Sequence, residues 1–266
     1  MYSLRLACPR EEIDRLSAEL WEAGTVAIYE TDLPSNEVLL MAGFDADEQR
    51  AMLVQRFAAY SPDWRQEPAI DWTAQTRAAW PARLVGDRLF LAPPWCNDPT
   101  PPGRFRLIHN PGLACGTGEH PCTQLALAAL EKHIHPAATV TDIGTGSGIL
   151  AIAALRLGAA SAIGVDPDEA ALSTARENFS LNALPPLLAA GSADCLAAET
   201  SDLTVANINA TVLLSLFDHL LRITKRHGRL ILTGFTEPES PRFLKLLPGA
   251  EVSTLAEWCC VTATLS

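Results

Sequence analysis

The sequence predicts an α/β protein, a mainly parallel sheet preceded by a small α+β unit of ferredoxin-like order, and three observations carry that prediction. From residue 138 onward strand-like runs alternate with helical ones. A proline-rich stretch, "PPWCNDPTPPG", stands well ahead of them. The first 68 residues follow the order β-α-β-β-α-β. With 266 residues there is room for one large domain or two unequal ones. A hydrophobic share of 48% and a charged share of 19% give a globular core and exclude a disordered chain.

Residues Tyr2 to Ala7 alternate like a strand. "PREEIDRLSAELWEAG" then sets Ile13, Leu16, Leu20 and Trp21 on one helical face, and Gly24 ends it. Thr25–Thr31 and Glu37–Ala42 read as a hairpin joined by "DLPSN". A helix over Ala46–Tyr60 and a strand from Trp64 complete a unit over 1–68, a docking or binding module by its order. Residues 69–100 read as a linker, and 101–266 as the second domain.

In that domain "ATVTDIG", "SAIGVDP", "DLTVANI" and "GRLILTGF" are strands, each followed by a helix. The tail "EVSTLAEWCCVTATL" holds two further β-rich runs with no helix between them, so the last strand is expected antiparallel. Cys259 and Cys260 fall on opposite faces of it.

The stretch "DIGTGSGIL" carries the first chemical signal. Asp142 closes an apolar strand, and Gly144, Gly146 and Gly148 open a helix, at the carboxyl end of a sheet strand where open α/β sheets bind ligands. Without Cβ atoms a ligand can lie against the backbone, although a tight strand–helix turn explains the same residues. Asp166, 22 residues beyond Gly144, ends the next strand, from which a carboxylate can accept bonds from two ribose hydroxyls. It could also cap the following helix, with Pro167 in the first position. Asp194 in "GSADC" could reach an adenine amino group or be a solvated loop charge.

A net charge of −11 repels nucleic acid and favours a basic partner. Seven cysteines without a C-x-x-C pair or histidine cluster indicate reduced thiols in a cytoplasm, without a metal site. Neither a signal peptide nor a membrane helix is expected.

The run from Asp142 to Asn182, with "GTGEHPCT" at 116–123, "ANINA" at 206–210, "VGDRLFLAPPW" and the near-terminal Glu257-Trp258, resembles class I S-adenosylmethionine-dependent methyltransferases, most of all the ribosomal protein L11 methyltransferase family. The resemblance spans nearly the whole chain. It implies a Rossmann-like seven-stranded sheet with an antiparallel last strand, and S-adenosylmethionine as donor. The cofactor contacts it implies are Thr123, Gly144, Asp166 and Asn207, within a site that also takes in Asp142, Gly146, Gly148 and Asp194. Asn207 is the residue it places at the chemistry. The implied reaction is methylation of lysine or α-amino nitrogens of ribosomal protein L11, with the N-terminal unit recognising the substrate. A lysine methyltransferase for another protein and a non-catalytic donor-binding module remain alternatives; a nicotinamide dehydrogenase is disfavoured by G-x-G-x-G spacing. Thr123 could simply cap its helix, and Asn207 could form a turn. The chain departs from the family at Glu119, Cys122 and Asn209. These changes bear on the acceptor, Glu119 being either an attraction for an ammonium group or a solvated charge. His120 is assigned no catalytic role.

Overall fold

The structure is a computed structural model that describes residues 1–33, 37–67, 80–110 and 118–266. It divides into two compact units, Met1–Ala78 and Ala79–Ser266.

In the first unit β1 (Tyr2–Pro9), β2 (Ala27–Asp32), β3 (Glu37–Phe44) and β4 (Asp63–Gln66) form an antiparallel sheet in the order β2-β3-β1-β4. Two helices, α1 (Ile13–Glu22) and α2 (Arg50–Arg56), complete the ferredoxin-like order. Alternate residues of β1 and β3, among them Leu4, Leu6, Val38 and Leu40, meet Leu16, Leu20 and Leu53 in one core. Two sequence expectations shift here. Trp21 is 54% exposed, because the helix buries only the stripe of Leu16 and Leu20. The second helix starts at Arg50 rather than Ala46, since Asp47 is drawn off to accept the Trp64 indole N–H at 2.7 Å. Of the hairpin turn "DLPSN", residues 34–36 lie outside the described residues.

The second unit is built on seven strands in the order β10-β9-β8-β11-β12-β14-β13. They are β8 (Thr139–Ile143), β9 (Ser161–Asp166), β10 (Leu188–Ala190), β11 (Ser201–Asn207), β12 (Thr224–Thr236), β13 (Glu251–Leu255) and β14 (Trp258–Thr264). Pairing is parallel from β10 to β12, and β14 is antiparallel to both its neighbours. Helices α3 (Pro121–His133), α4 (Ile149–Leu157), α5 (Glu169–Leu181), α6 (Ala210–Ile223) and α7 (Ser240–Leu246) follow in chain order. Two apolar clusters cover the sheet, one with Leu125, Ile149 and Cys260, the other with Phe217, Phe243 and Cys259. The adjacent cysteines thus face opposite cores, as strand geometry requires.

Residues assigned to a linker by sequence also carry structure. β5 (Arg83–Val85), β6 (Leu89–Ala92) and β7 (Phe105–Ile108) form a small sheet of their own. Leu89 and Leu91 are buried in the cluster around Leu125 and Ile149, so β5 and β6 belong to the second unit, ahead of the boundary read at 101. Burial of that apolar run outweighs the extended character of the prolines behind it. Residues 68–79 lie outside the described residues.

Candidate functional site

The strands of the second unit run outward from β8 to β9 and β10 on one side and to β11 and β12 on the other. The sheet therefore switches direction between β8 and β11, and at the carboxyl ends of these strands lies a cavity of about 820 Å³. Its wall takes Gly144 and Gly146 from the turn after β8, Asp166 from the end of β9, Asn207 from the end of β11 and Thr123 from the first turn of α3. Apolar cover comes from Ile143, Leu150, Ile208, Val212 and Leu216.

The glycine turn is built as much by backbone geometry as by what approaches it. Gly144 has φ +72°, and a Cβ there would lie 2.4 Å from Cγ2 of Ile208. The N–H groups of Gly144 and Thr145 both donate to the carbonyl of Val165, at 2.8 and 3.0 Å. Gly148 is also left-handed, at φ +80°, and a Cβ on it would stand 3.1 Å from Cβ of Ala175 and 3.3 Å from Cε2 of Phe179, so α5 occupies the space it leaves. Gly148 is absent from the cavity wall.

The two aspartates at the strand ends are placed differently. Asp166 is 9% exposed and faces the cavity. Its Oδ2 accepts the Gly146 N–H and its Oδ1 the Asp168 N–H, both at 2.9 Å. A carboxylate has about four acceptor positions, so roughly two remain for a ligand. Asp168, not Asp166, caps α5, accepting the Ala170 N–H at 2.9 Å. Asp142 is fully buried behind the turn. Its Oδ2 accepts the Thr145 hydroxyl at 2.7 Å and the Ala151 N–H at 3.2 Å, and its Oδ1 has no partner among the described residues. Burial pushes its carboxyl up to about 7, with the nearby charge of Asp166 acting in the same direction.

Across the cavity, Asn207 donates through Nδ2 to Oγ1 of Thr123 at 3.1 Å. This leaves the amide oxygen to accept an N–H and the Thr123 hydroxyl to donate. Thr123 is not the helix cap. His120 is, its Nδ1 accepting the Cys122 N–H at 3.3 Å with Pro121 in the first position. His120 also lies on the cavity wall, and its ring meets Trp258 edge-on, 4.5 Å between centroids. Asp194 lies in a short turn at 193–195, exposed and off the wall.

Thus Thr123, Gly144, Gly146, Asp166 and Asn207 share one cavity, while Asp142, Gly148 and Asp194 do not line it. Two of the departures find local explanations. Glu119 is ion-paired with Arg83, and Asn209 caps α6 by accepting the Val212 N–H at 3.0 Å. Of the run after Asn207, Ile208 and Val212 reach the cavity. The "GT" at 116–117 lies outside the described residues. Among the described residues no cluster suits a metal ion, six cysteines are free thiols, and no helix is long and apolar enough to cross a membrane.

A seven-stranded sheet of this order, with a glycine turn after its first strand and a carboxylate at the end of the second, defines a class I methyltransferase. The family described as ribosomal protein L11 methyltransferase (PrmA) matches residues 2–265, and the chain belongs to that family. A ribosomal protein L11 methyltransferase of Myxococcus xanthus is 32% identical over 249 residues, covering 87% of this chain and 85% of the relative. One of Chromobacterium violaceum is 37% identical over 226 residues, covering 85% and 71%. The solved structure of a ribosomal protein L11 methylase from Lactobacillus delbrueckii subsp. bulgaricus superposes with a TM-score of 0.64 at 30% identity, over 70% of this chain and 100% of that one.

Proposed function

We propose that the chain transfers methyl groups from S-adenosylmethionine to amine nitrogens of ribosomal protein L11, at lysine side chains or the α-amino group. The observation that carries this reading is the family match over residues 2–265, which takes in both units and not the donor-binding part alone.

The cavity residues fit the donor. A volume of about 820 Å³ suits a ligand of nucleoside size. The free acceptor positions of Asp166 suit a ribose diol, and the Asn207 and Thr123 pair suits the amino-acid end of the donor or the incoming amine. Bound there, S-adenosylmethionine supplies a methyl group already made electrophilic by its sulfonium. The protein's task is then alignment and exclusion of water. Ile143, Leu150, Ile208, Val212 and Leu216 surround the polar groups with apolar surface. An ammonium entering such a site loses hydration, which lowers its pKa and favours the neutral amine. The Asn207 amide oxygen can orient that amine by accepting one N–H.

The first unit is the substrate-recognition module in this reading, and a ribosomal substrate places the reaction in the cytoplasm. Purified protein, methyl-labelled donor and unmethylated ribosomal proteins test it, with the label located by mass spectrometry. Label on amine nitrogens of L11 is expected. Label on RNA or a carboxylate, or none on any protein amine despite donor binding, overturns it.

A further inference from the structure

A second cavity, of about 330 Å³, opens at the opposite edge of the seven-stranded sheet, by the amino ends of β8, β11 and β12. The five residues of β8 separate the two edges by roughly 16 Å. Its wall includes His133 and His135 from the end of α3, Asp202 of β11, and Arg226, His227 and Arg229 of β12. An irregularity in β12 brings the last three there. Ser201 pairs with Thr224 but Leu203 pairs with Arg229, so β12 advances further than β11 and the surplus residues bulge out. The bulge is fixed in place. His227 takes φ +62°, its N–H donates to Leu265 at 3.0 Å, and the Leu265 N–H returns to the Gly228 carbonyl at 2.9 Å. A Cβ on Gly228 would lie 2.8 Å from the Lys225 carbonyl oxygen.

The charges there are unevenly matched. Lys132 is paired with Glu251. Lys225 donates to Oδ1 of Asp202 at 2.9 Å, while Oδ2 accepts the Thr139 N–H at 2.8 Å and its hydroxyl at 2.7 Å, so about three of the four acceptor positions of Asp202 are filled. The guanidinium groups of Arg226 and Arg229 make no hydrogen bond or ion pair among the described residues, though Arg229 lies within the field of Glu251 and His133. Lys132 stands where a helix C-terminus favours a cation, while burial and then the charges of Arg229 and Lys132 push the His133 imidazole down; the two arginines belong to a strand and need another reason. In a chain of 31 acidic and 20 basic residues, two unpaired guanidinium groups and three imidazoles converge on one cavity.

We infer that this cavity binds a phosphate group, held by the guanidinium forks of Arg226 and Arg229 with imidazole N–H groups beside them. Guanidinium matches a tetrahedral oxyanion with paired N–H donors, and its weak hydration suits a recessed site. The overall charge of −11 repels nucleic acid at long range, yet the local field here has the opposite sign. Free phosphate compounds and the backbone of RNA offer the same group.

The test is titration of the full chain with inorganic phosphate, pyrophosphate and a short single-stranded RNA, repeated on Arg226→Gln/Arg229→Gln and on Asp166→Ala. At least one ligand should bind the wild type, bind the double variant on the order of tenfold to a hundredfold more weakly, and bind Asp166→Ala unchanged. RNA binding well above pyrophosphate marks a backbone site, and equal or stronger pyrophosphate binding marks a small-anion site. Methyl transfer by the double variant should match wild type. If the double variant melts early, Arg226→Gln alone, at an exposed position, must show the loss. No binding by the wild type at millimolar ligand, or equal binding by wild type and the arginine variants, overturns the inference.

Discussion

The wall of the large cavity and the layer just behind it use the same residue types for different work. Asp166 and Asp142 end neighbouring parallel strands, Asn207 and Asn209 stand two positions apart, and Gly144 and Gly148 belong to one turn. In each pair the first member faces the cavity and the second holds the scaffold: Asp142 ties the turn to α4, Asn209 caps α6, and Gly148 admits α5. What stands opposite the side chain decides its role, and residue type alone does not.

The largest expected effect comes from Gly144, which lines the cavity and also packs against Ile208. Gly144→Ala should destabilise by about 2–4 kcal/mol, from left-handed backbone strain together with the clash on Ile208. Gly158→Ala, also at positive φ but with open space around it, should cost only the strain. Urea unfolding of both checks this, and equal losses would remove the role of Ile208. The two aspartates sharpen the comparison next. Because the Asp142 carboxyl is raised from 3.8 to about 7 on folding, the native state binds its proton more tightly than the unfolded chain. Its contribution is therefore fully present below about pH 4 and is lost as pH rises through 7. Melting curves of Asp142→Asn should lack that decline, so the variant gains relative to wild type across this window, and parallel curves would refute the burial argument. Asp166→Ala should instead weaken S-adenosylmethionine on the order of tenfold to a hundredfold, a loss of about 1.5–3 kcal/mol, with the melting temperature nearly kept. Calorimetric titration reads that directly. The smallest difference separates the asparagines. Asn209→Ala should cost about 1 kcal/mol through the lost cap and leave donor affinity alone. Asn207→Ala should lower methyl transfer far more than stability, and the reverse pattern would exchange their roles.

Much of this was legible before any coordinate was known. The alternation of apolar runs with helical periods gives the parallel sheet, and the lack of a helix in the tail gives β14 its direction. The pairing of a glycine turn with Asp166 locates the cavity, because both sit at carboxyl ends that the strand order brings side by side. Long-range pairing left no local trace. Arg83 and Glu119 are 36 residues apart, so nothing near Glu119 announces its partner. The strand Leu89–Ala92 is only four residues long, too short for periodicity to separate it from a connector. Trp21 shares a helical phase with core residues but stands at the margin of the stripe, where a large ring is left in solvent. Val212 and Leu216 of the cavity wall look like any apolar helix positions until the helix is docked. The bulge in β12 was hidden for the same reason, since register belongs to the pair of strands.

The place of β14 has a consequence in biosynthetic time. It is made after β12 and β13, yet it lies between them in the sheet. Until Trp258–Thr264 is made, β12 carries an open edge bearing Leu230, Ile231 and Leu232, and β13 lacks its partner strand. Such an edge invites pairing with other chains. The sheet is therefore closed only once Trp258–Thr264 is made, and a chain cut short before Trp258 is left with an unfinished seam inside the sheet rather than a shortened margin.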